Sequence, residues 1–339
     1  MFEKYPVINI SADQKKNIEL YNMAVRHSIY KIEEVSCNLC GSNKKKVIFR
    51  NDRYGIDQNT VICMKCGLVY SSPRLTDGST EKFYRSDEYR NIYEGESTEK
   101  IFLNRYKNAV SYKLNSFNHH KYRDLSFIDF LNETGIAYNS VCEVGAGGGT
   151  NLIPFKMMGK EVTGIDYSGK LVSLGRKKGI NIFQGSIEDI DKYYELIILI
   201  HVLEHFLNPV EQIKKLSNYT TKYLFVEIPG IVNQVPSLQN AHFYYFSVNT
   251  LFSCIYRAGF KAIDYRAIDS NNYIMALFKK SSDSVYYYNF SDEIYWVLGI
   301  TRRFKSKNFI KNIIKSVPFG NKLLNNLKSF SNKGRIRNF

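Results

Sequence analysis

The segment Val141-Cys142-Glu143-Val144-Gly145-Ala146-Gly147-Gly148-Gly149-Thr150 carries the clearest chemical signal in this chain of 339 residues. A short apolar run ends in an acid and then breaks into alternating glycines. Seventeen residues after Gly149, Asp166 closes a second apolar run that begins at Val162. Glycines let backbone approach a ligand where a Cβ would clash, and an acid ending the next strand can accept hydrogen bonds from both hydroxyls of a ribose. The two features together describe a nucleotide site at the carboxyl edge of a doubly wound sheet. A dinucleotide fingerprint, G-x-G-x-x-G, would place its third small residue at position 150, where this chain has Thr150.

A second group of reactive side chains lies in Ile200-His201-Val202-Leu203-Glu204-His205-Phe206-Leu207-Asn208-Pro209. If a helix starts near His201, then His201, Glu204 and His205 fall at i, i+3 and i+4 and share one face. A neutral imidazole with a pKa near about 6.5 can take a hydroxyl proton during attack, and His205 is the first choice for that base. His242, in Ala241-His242-Phe243-Tyr244-Tyr245-Phe246-Ser247, is a further candidate beside the substrate, with bracing of its loop as the plainer alternative.

The six cysteines divide into four and two. Cys37-x-x-Cys40-Gly41 and Cys63-x-x-Cys66-Gly67 are matched knuckles separated by 22 residues. Each puts two sulfurs on one side of a tight turn, and the pair completes a tetrahedral four-sulfur shell suited to structural zinc. Such a shell has no open position, so no catalysis is assigned to it. Cys142 and Cys254 sit in apolar runs and read as buried thiols.

These residues need a scaffold, and the spacing of apolar runs predicts one. Strands are expected at 140–144, 161–165, 180–184, 195–200 and 222–228, with helices at 151–159 and 169–178 between them. A helix over 246–259 and two last strands, 260–266 and 273–279, complete the pattern. Alternating strands and helices imply a parallel sheet with ligands at the strands' carboxyl ends. The expected organisation is a helical lead-in (1–34), a four-cysteine ribbon (35–75), a helical connector (76–122), the α/β domain (123–280) and a basic tail (281–339). The connector holds Tyr84, Tyr89, Tyr93 and Tyr106, which read first as packing against the next domain and second as the mouth of a substrate site.

With 44% hydrophobic residues the composition is that of a globular protein. No apolar run approaches the length of a membrane span, and Met1–Ile10 lacks the core of a signal peptide, so a cytoplasmic location is the default expectation. Of the net charge of +15, the segment from Thr301 to Phe339 supplies +11, with no acid in it. The catalytic part is therefore nearly balanced and need not bind a polyanion. Apolar residues at helical spacing in the tail (Phe309, Ile310, Ile313, Ile314 and Val317, then Leu323, Leu324, Leu327 and Phe330) leave three readings. They are peripheral contact with the inner face of a membrane, a helix packed on the catalytic domain, or RNA contact.

The pattern E-x-G-x-G-x-G at Glu143–Gly149 resembles motif I of class I S-adenosylmethionine-dependent methyltransferases. The resemblance implies a seven-stranded Rossmann-like sheet ending in a hairpin, with Gly145, Gly147 and Gly149 cradling the cofactor and Asp166 on its ribose. It implies that Glu143 steadies the loop or the cofactor's ammonium group through water. This superfamily commonly places an acid against the adenine amino group after the third strand. Ser186 stands there in this chain, beside Ile187 and Glu188.

The Leu203-Glu204-His205 segment resembles the L-E-H of many small-molecule and sugar methyltransferases. His201-x-x-Glu204-His205 with His242 also resembles the E-x-x-E-H of RNA 3′-end and ubiquinone-pathway O-methyltransferases, where it holds a divalent cation. A His in place of the first acid would move preference away from Mg²⁺. Over about 35–280 the chain resembles zinc-ribbon methyltransferases of bacterial surface-polysaccharide and sugar-nucleotide biosynthesis. That likeness implies O-methylation of a sugar, sugar-nucleotide or lipid-linked glycan. RNA methylation and sugar C-methylation stand as alternatives.

Overall fold

The protein is described by a computed structural model at residues 8–86, 88–93, 98–112, 125–231, 238–268, 273–282 and 285–316, with 268 and 307–316 as backbone only. The lead-in forms α1 (Ala12–Arg26), which Ser11 starts through a capping box with Gln14. After β1 (Ile32–Glu33), the cysteine region folds as an antiparallel meander of β2 (Lys45–Asn51), β3 (Asp57–Cys63) and β4 (Val69–Ser71). Each C-x-x-C sits in a turn at one end of this meander, and Gly41 and Gly67 follow with φ of +70° and +80°. That left-handed backbone is the reason for the glycine in each C-x-x-C-G. β5 (Arg74–Leu75) then returns to pair with β1.

The connector folds into α2 (Asp77–Arg85), α3 (Glu88–Tyr93) and α4 (Thr98–Val110), followed by α5 (Ser126–Glu133). Its predicted end, 113–122, lies outside the described residues. From there strands and helices alternate: β6 (Ser140–Val144), α6 (Leu152–Met157), β7 (Glu161–Asp166), α7 (Gly169–Lys177), β8 (Ile182–Gln184), β9 (Tyr194–Ile200), α8 (Pro209–Tyr219) and β10 (Thr220–Pro229). The chain ends, as far as it is described, with β11 (Tyr244–Tyr245), α9 (Val248–Arg257), β12 (Phe260–Ile268), β13 (Tyr273–Lys280) and α10 (Phe290–Ser316).

The main sheet has the order β12-β13-β10-β9-β6-β7-β8. Its five central strands are parallel, and the β12–β13 hairpin closes one edge antiparallel. This is the seven-stranded arrangement expected of the class I methyltransferase fold. Strand order reverses between β6 and β9, which are neighbours with Val144 opposite Leu199. In sheets of this kind ligands bind at that switch point, beyond the carboxyl ends of the strands. Side chains alternate along each strand to fill both faces. Val141, Ile198, Phe225 and Leu277 meet Phe127 and Phe155 on one side, while Cys142, Leu199, Val226 and Ala276 meet Leu216 and Ile255 on the other.

The ribbon is not a bead on a string. β11, from the α/β region, pairs with β4 and becomes the fourth strand of the ribbon sheet. Cys37, Cys63 and Tyr70 belong to the same apolar cluster as Leu199, Val226 and Phe246. The predicted tail begins as the long helix α10, whose Val297 packs with Ile48, Ile62 and Val69 of the ribbon. Val317, which ends the first apolar series of the tail, and the whole second series from Leu323 lie outside the described residues.

Candidate active site

The glycine loop leaves β6 at Val144 and turns through three left-handed residues, Gly145, Gly147 and Gly149. Asp166, ending β7, reaches back under it. One carboxylate oxygen accepts from Gly147 N at 2.6 Å, the other from Ser168 N at 2.8 Å. Burial pushes the Asp166 carboxyl upward and those two amides oppose the shift. Each oxygen keeps a further lone pair, so Asp166 can hold the loop and still accept from a ribose diol.

The loop glycines serve different ends. A Cβ on Gly145 would lie 2.5 Å from Val202 Cγ2, one on Gly148 2.5 Å from the Phe102 ring, and one on Gly149 2.7 Å from Ile180 Cγ2. At Gly147 it would meet only Leu171 Cδ1, at 3.4 Å. Three glycines thus admit the protein's own side chains, and Gly147 is the one with room for a ligand. Gly145→Ala is expected to cost about 1–3 kcal/mol and to push Val202, with the histidine turn that carries it, off the loop. A lowered denaturation midpoint together with weakened cofactor binding would check this.

Glu143 is 1% exposed, accepts from Asn151 Nδ2 at 2.7 Å through one oxygen and leaves the other unpaired. Burial pushes its pKa up to about 8. A cationic cofactor nearby would favour the ionised form, so binding should release a proton and tighten as pH rises toward 8. The gain is at most about tenfold per pH unit. Calorimetry in buffers of different ionisation enthalpy measures that proton, and Glu143→Gln should abolish it.

The turn after β9 corrects the helical expectation for the histidines. His201 has φ +55°, its N–H donates to Glu227 O at 2.8 Å, and only Leu203–His205 form a short 3₁₀ turn. A left-handed β-carbon residue is rare outside functional sites. The result is a fan of side chains around Glu204 instead of a helical stripe. His201 Nδ1 lies 3.6 Å from Glu204 Oε1 and its Nε2 3.5 Å from Glu227 Oε1. His242 Nε2 is 3.9 Å from the same Glu204 oxygen. The rings of His205 and His242 stand 4.7 Å apart at 80°.

Glu204, 1% exposed, has no hydrogen-bond partner for either oxygen, and His242 Nδ1 is likewise unpaired. His205 Nδ1 is 2.8 Å from Ala241 O and 2.7 Å from Tyr84 Oη. A carbonyl can only accept, so Nδ1 carries the proton and Nε2 keeps its lone pair. Burial lowers the pKa of His205 and lowers that of His242 further. At His201 burial acts the same way, but Glu204 and Glu227 outweigh it and raise the pKa. One histidine is thus held charged and two neutral within a single cluster, the separation expected of acid and base partners.

The structure therefore brings His201, Glu204, His205 and His242 together, and Val202 against Gly145 seats them on the glycine loop. Ser186, Ile187 and Glu188 are placed differently. Ser186 Oγ bonds Glu188 at 2.9 Å, Glu188 pairs with Lys215 of α8, and Ile187 is buried in the core. Sequence reasoning missed Glu227, which lies near the end of β10. The connector tyrosines pack on apolar clusters as expected, and Tyr84 and Tyr89 also meet the ring of His205 edge-on. Phe102 over Gly148 left no sequence signal.

The four cysteine sulfurs converge, with Cys37–Cys66 and Cys40–Cys63 each at 3.5 Å. This is far beyond a disulfide, and close to the edge of about 3.8 Å of a tetrahedron with metal–sulfur bonds near 2.3 Å. The ribbon grips both histidine loops. Ser71 N donates to Phe243 O at 2.9 Å and Ser71 Oγ to His242 O at 3.1 Å. Asn38 Nδ2 donates to Asn208 Oδ1 at 3.1 Å, and Arg74 to Leu207 O and Tyr244 Oη.

Residues 114–265 match the family model described as a methyltransferase domain. Similar solved structures include magnesium protoporphyrin IX methyltransferase from Synechocystis PCC 6803 with bound SAH (15% identity, 61% of this chain and 100% of that one, TM-score 0.43). Others are a possible histamine N-methyltransferase from Thermotoga maritima (15%, 47% and 90%, 0.38) and an S-adenosylmethionine-dependent methyltransferase from Clostridium acetobutylicum (11%, 57% and 96%, 0.41). A search of curated proteins finds no match. The chain carries a methyltransferase domain over residues 114–265, and it is an enzyme of that class.

Proposed function

We propose that this protein methylates a sugar hydroxyl in cell-surface glycan or sugar-nucleotide biosynthesis, with His205 as general base. The observation that carries the mechanism is the tautomer of His205. Its Nδ1–H is shared by Ala241 O and Tyr84 Oη, so a neutral ring keeps a free lone pair on Nε2, three residues from the Val202 that packs on Gly145. S-Adenosylmethionine, when bound, supplies a methyl group on a cationic sulfur. Gly147 has the space to receive it, Asp166 the acceptors for its ribose, and Glu143 a buried carboxyl for its charge. His205 Nε2 takes the acceptor's proton as the hydroxyl oxygen attacks. His201, with Glu204 and Glu227, keeps positive charge fixed nearby. Holding the acceptor in line is most of the remaining work, since the displacement neutralises charge.

Cys37, Cys40, Cys63 and Cys66 fit a structural zinc ion, whose role here is to fix the ribbon that grips the loops of His205 and His242. A metal-assisted reading of the acceptor site has its own observation. One ligand atom each from Glu204, His205 and His242 lies within 4.8 Å of the others, and among the described residues neither oxygen of the buried Glu204 has a hydrogen-bond partner. A divalent ion there would lower the pKa of a bound hydroxyl. It would sit on these three residues, with His201 engaged by Glu227. A second metal ion per chain, lost in Glu204→Gln while the ion of the four cysteines is kept, would favour it.

The sugar assignment rests on the joint resemblance of the ribbon and the Leu203-Glu204-His205 segment. RNA as acceptor is disfavoured because the excess positive charge lies outside the catalytic part. The test is labelled methyl transfer into fractionated extract of the source cell. Label in sugar-nucleotide or glycolipid material supports the proposal, and a labelled methyl on oxygen excludes C-methylation. Label in RNA contradicts it.

A further inference from the structure

Helix α10 is held against the ribbon by one face. Glu293, Val297 and Thr301, at i, i+4 and i+8, are all buried there. Glu293 accepts from Asn249 Nδ2 at 2.8 Å, and its Cγ lies where a Cβ on Gly67 would come within 2.6 Å. Phe304 meets Phe49 edge-on with centroids 5.9 Å apart, and Lys305 stands 5.4 Å over the same ring.

The opposite face has a different chemistry. At about 100° per residue, Tyr295 and Arg302 fall within about 20° of one another, as do Trp296 and Arg303, with Gly299 between the two pairs. Tyr295 is 75% exposed and Trp296 43%. Tyr287 (86%) and Phe290 are exposed just before them. Both arginines are exposed, and Asp292, one turn earlier, is the acid of that face. From Ile294 to Phe339 the sequence holds eleven lysines and arginines and no acid.

We propose that this outer face of α10 docks on an anionic lipid surface, with the basic segment that follows adding charge attraction. Indole and phenol rings favour the boundary between head groups and acyl chains, and arginines beside them reach anionic head groups. No described helix is long and apolar enough to cross a membrane, so the contact is one of lying on the surface. A second copy of the chain is a poor occupant, because eleven like charges would be brought together. A single-stranded nucleic acid calls for a groove with stacking platforms, whereas this helix offers one flat face. The inference stands on α10 and its charge, independent of the methyl acceptor.

The chain has one tryptophan, Trp296, so emission excited at the red edge, where the 26 tyrosines do not absorb, reads this face alone. The full-length protein is mixed with vesicles of phosphatidylcholine, with and without phosphatidylglycerol. The expected result is flotation and a blue shift of Trp296 emission with the anionic vesicles only, both reversed by salt. Arg302→Gln with Arg303→Gln should weaken partition about tenfold to thirtyfold, with the thermal midpoint unchanged. Trp296→Ser should reduce flotation as well. Four results would overturn the proposal: no flotation, flotation with unchanged emission, a blue shift that needs only higher protein concentration, or one produced by RNA and not by vesicles.

Discussion

Replacing His205 with alanine is expected to lower turnover by about 10²–10⁴-fold while cofactor affinity stays within about twofold. The asymmetry follows from position. In the proposed arrangement His205 serves the acceptor, and with Nδ1–H engaged by Ala241 O and Tyr84 Oη it would contribute its Nε2 lone pair and no cofactor contact. Asp166→Ala should do the reverse. Loss of a carboxylate that can take two ribose hydroxyls removes charged hydrogen bonds of about 1.5–3 kcal/mol each, and with them the anchor of Gly147 N. Because burial lowers the pKa of His205, kcat/KM for the acceptor, with cofactor saturating, should rise with pH through a value below that of ordinary imidazole. The His205→Ala profile should lack that limb. Steady-state rates across pH, with binding measured on the same samples, check both halves.

The second large effect belongs to the ribbon. Cys63→Ser is expected to cost one metal ion per chain and at least about 4–5 kcal/mol of stability, the range reached when a structural metal is lost. For a chain of 339 residues that corresponds to a fall in thermal midpoint of roughly 6–7 °C. The damage should reach the chemistry as well. β4 is the strand that pairs with β11, Ser71 holds the backbone of His242 and Phe243, and Phe243 N donates to Glu204 O at 2.8 Å. Transfer should therefore fail in zinc-depleted protein before the α/β sheet melts. Metal content by mass spectrometry and a melting curve decide it; a variant with full metal and an unchanged midpoint would contradict the account.

Much of the scaffold was legible because its signals are local. Apolar runs punctuated by Gly159, Gly179 and Gly259 placed the strands and helices, and the order of the seven strands follows the expected class. The two knuckles announced their own convergence. The acceptor site was legible in its residues but not in its geometry. A left-handed turn at a histidine has no sequence signature, so helical spacing was the natural expectation for 201, 204 and 205. Glu227 and Tyr84 join the cluster from a neighbouring strand and a distant helix, and only the sheet order brings them there. β11 is two residues long, too short for any period to reveal that it completes the ribbon sheet. The glycines were assigned to a ligand as a group, whereas Val202, Phe102 and Ile180 account for three of them.

The central claim is a division of labour between a cofactor side built on Gly147 and Asp166 and an acceptor side built on His205. Titration of S-adenosylmethionine into the purified protein and into the two variants tests it most directly. The account predicts one cofactor per chain for the wild type and for His205→Ala, and binding weakened beyond about tenfold for Asp166→Ala. No binding to the wild type, or equal loss in both variants, would contradict it.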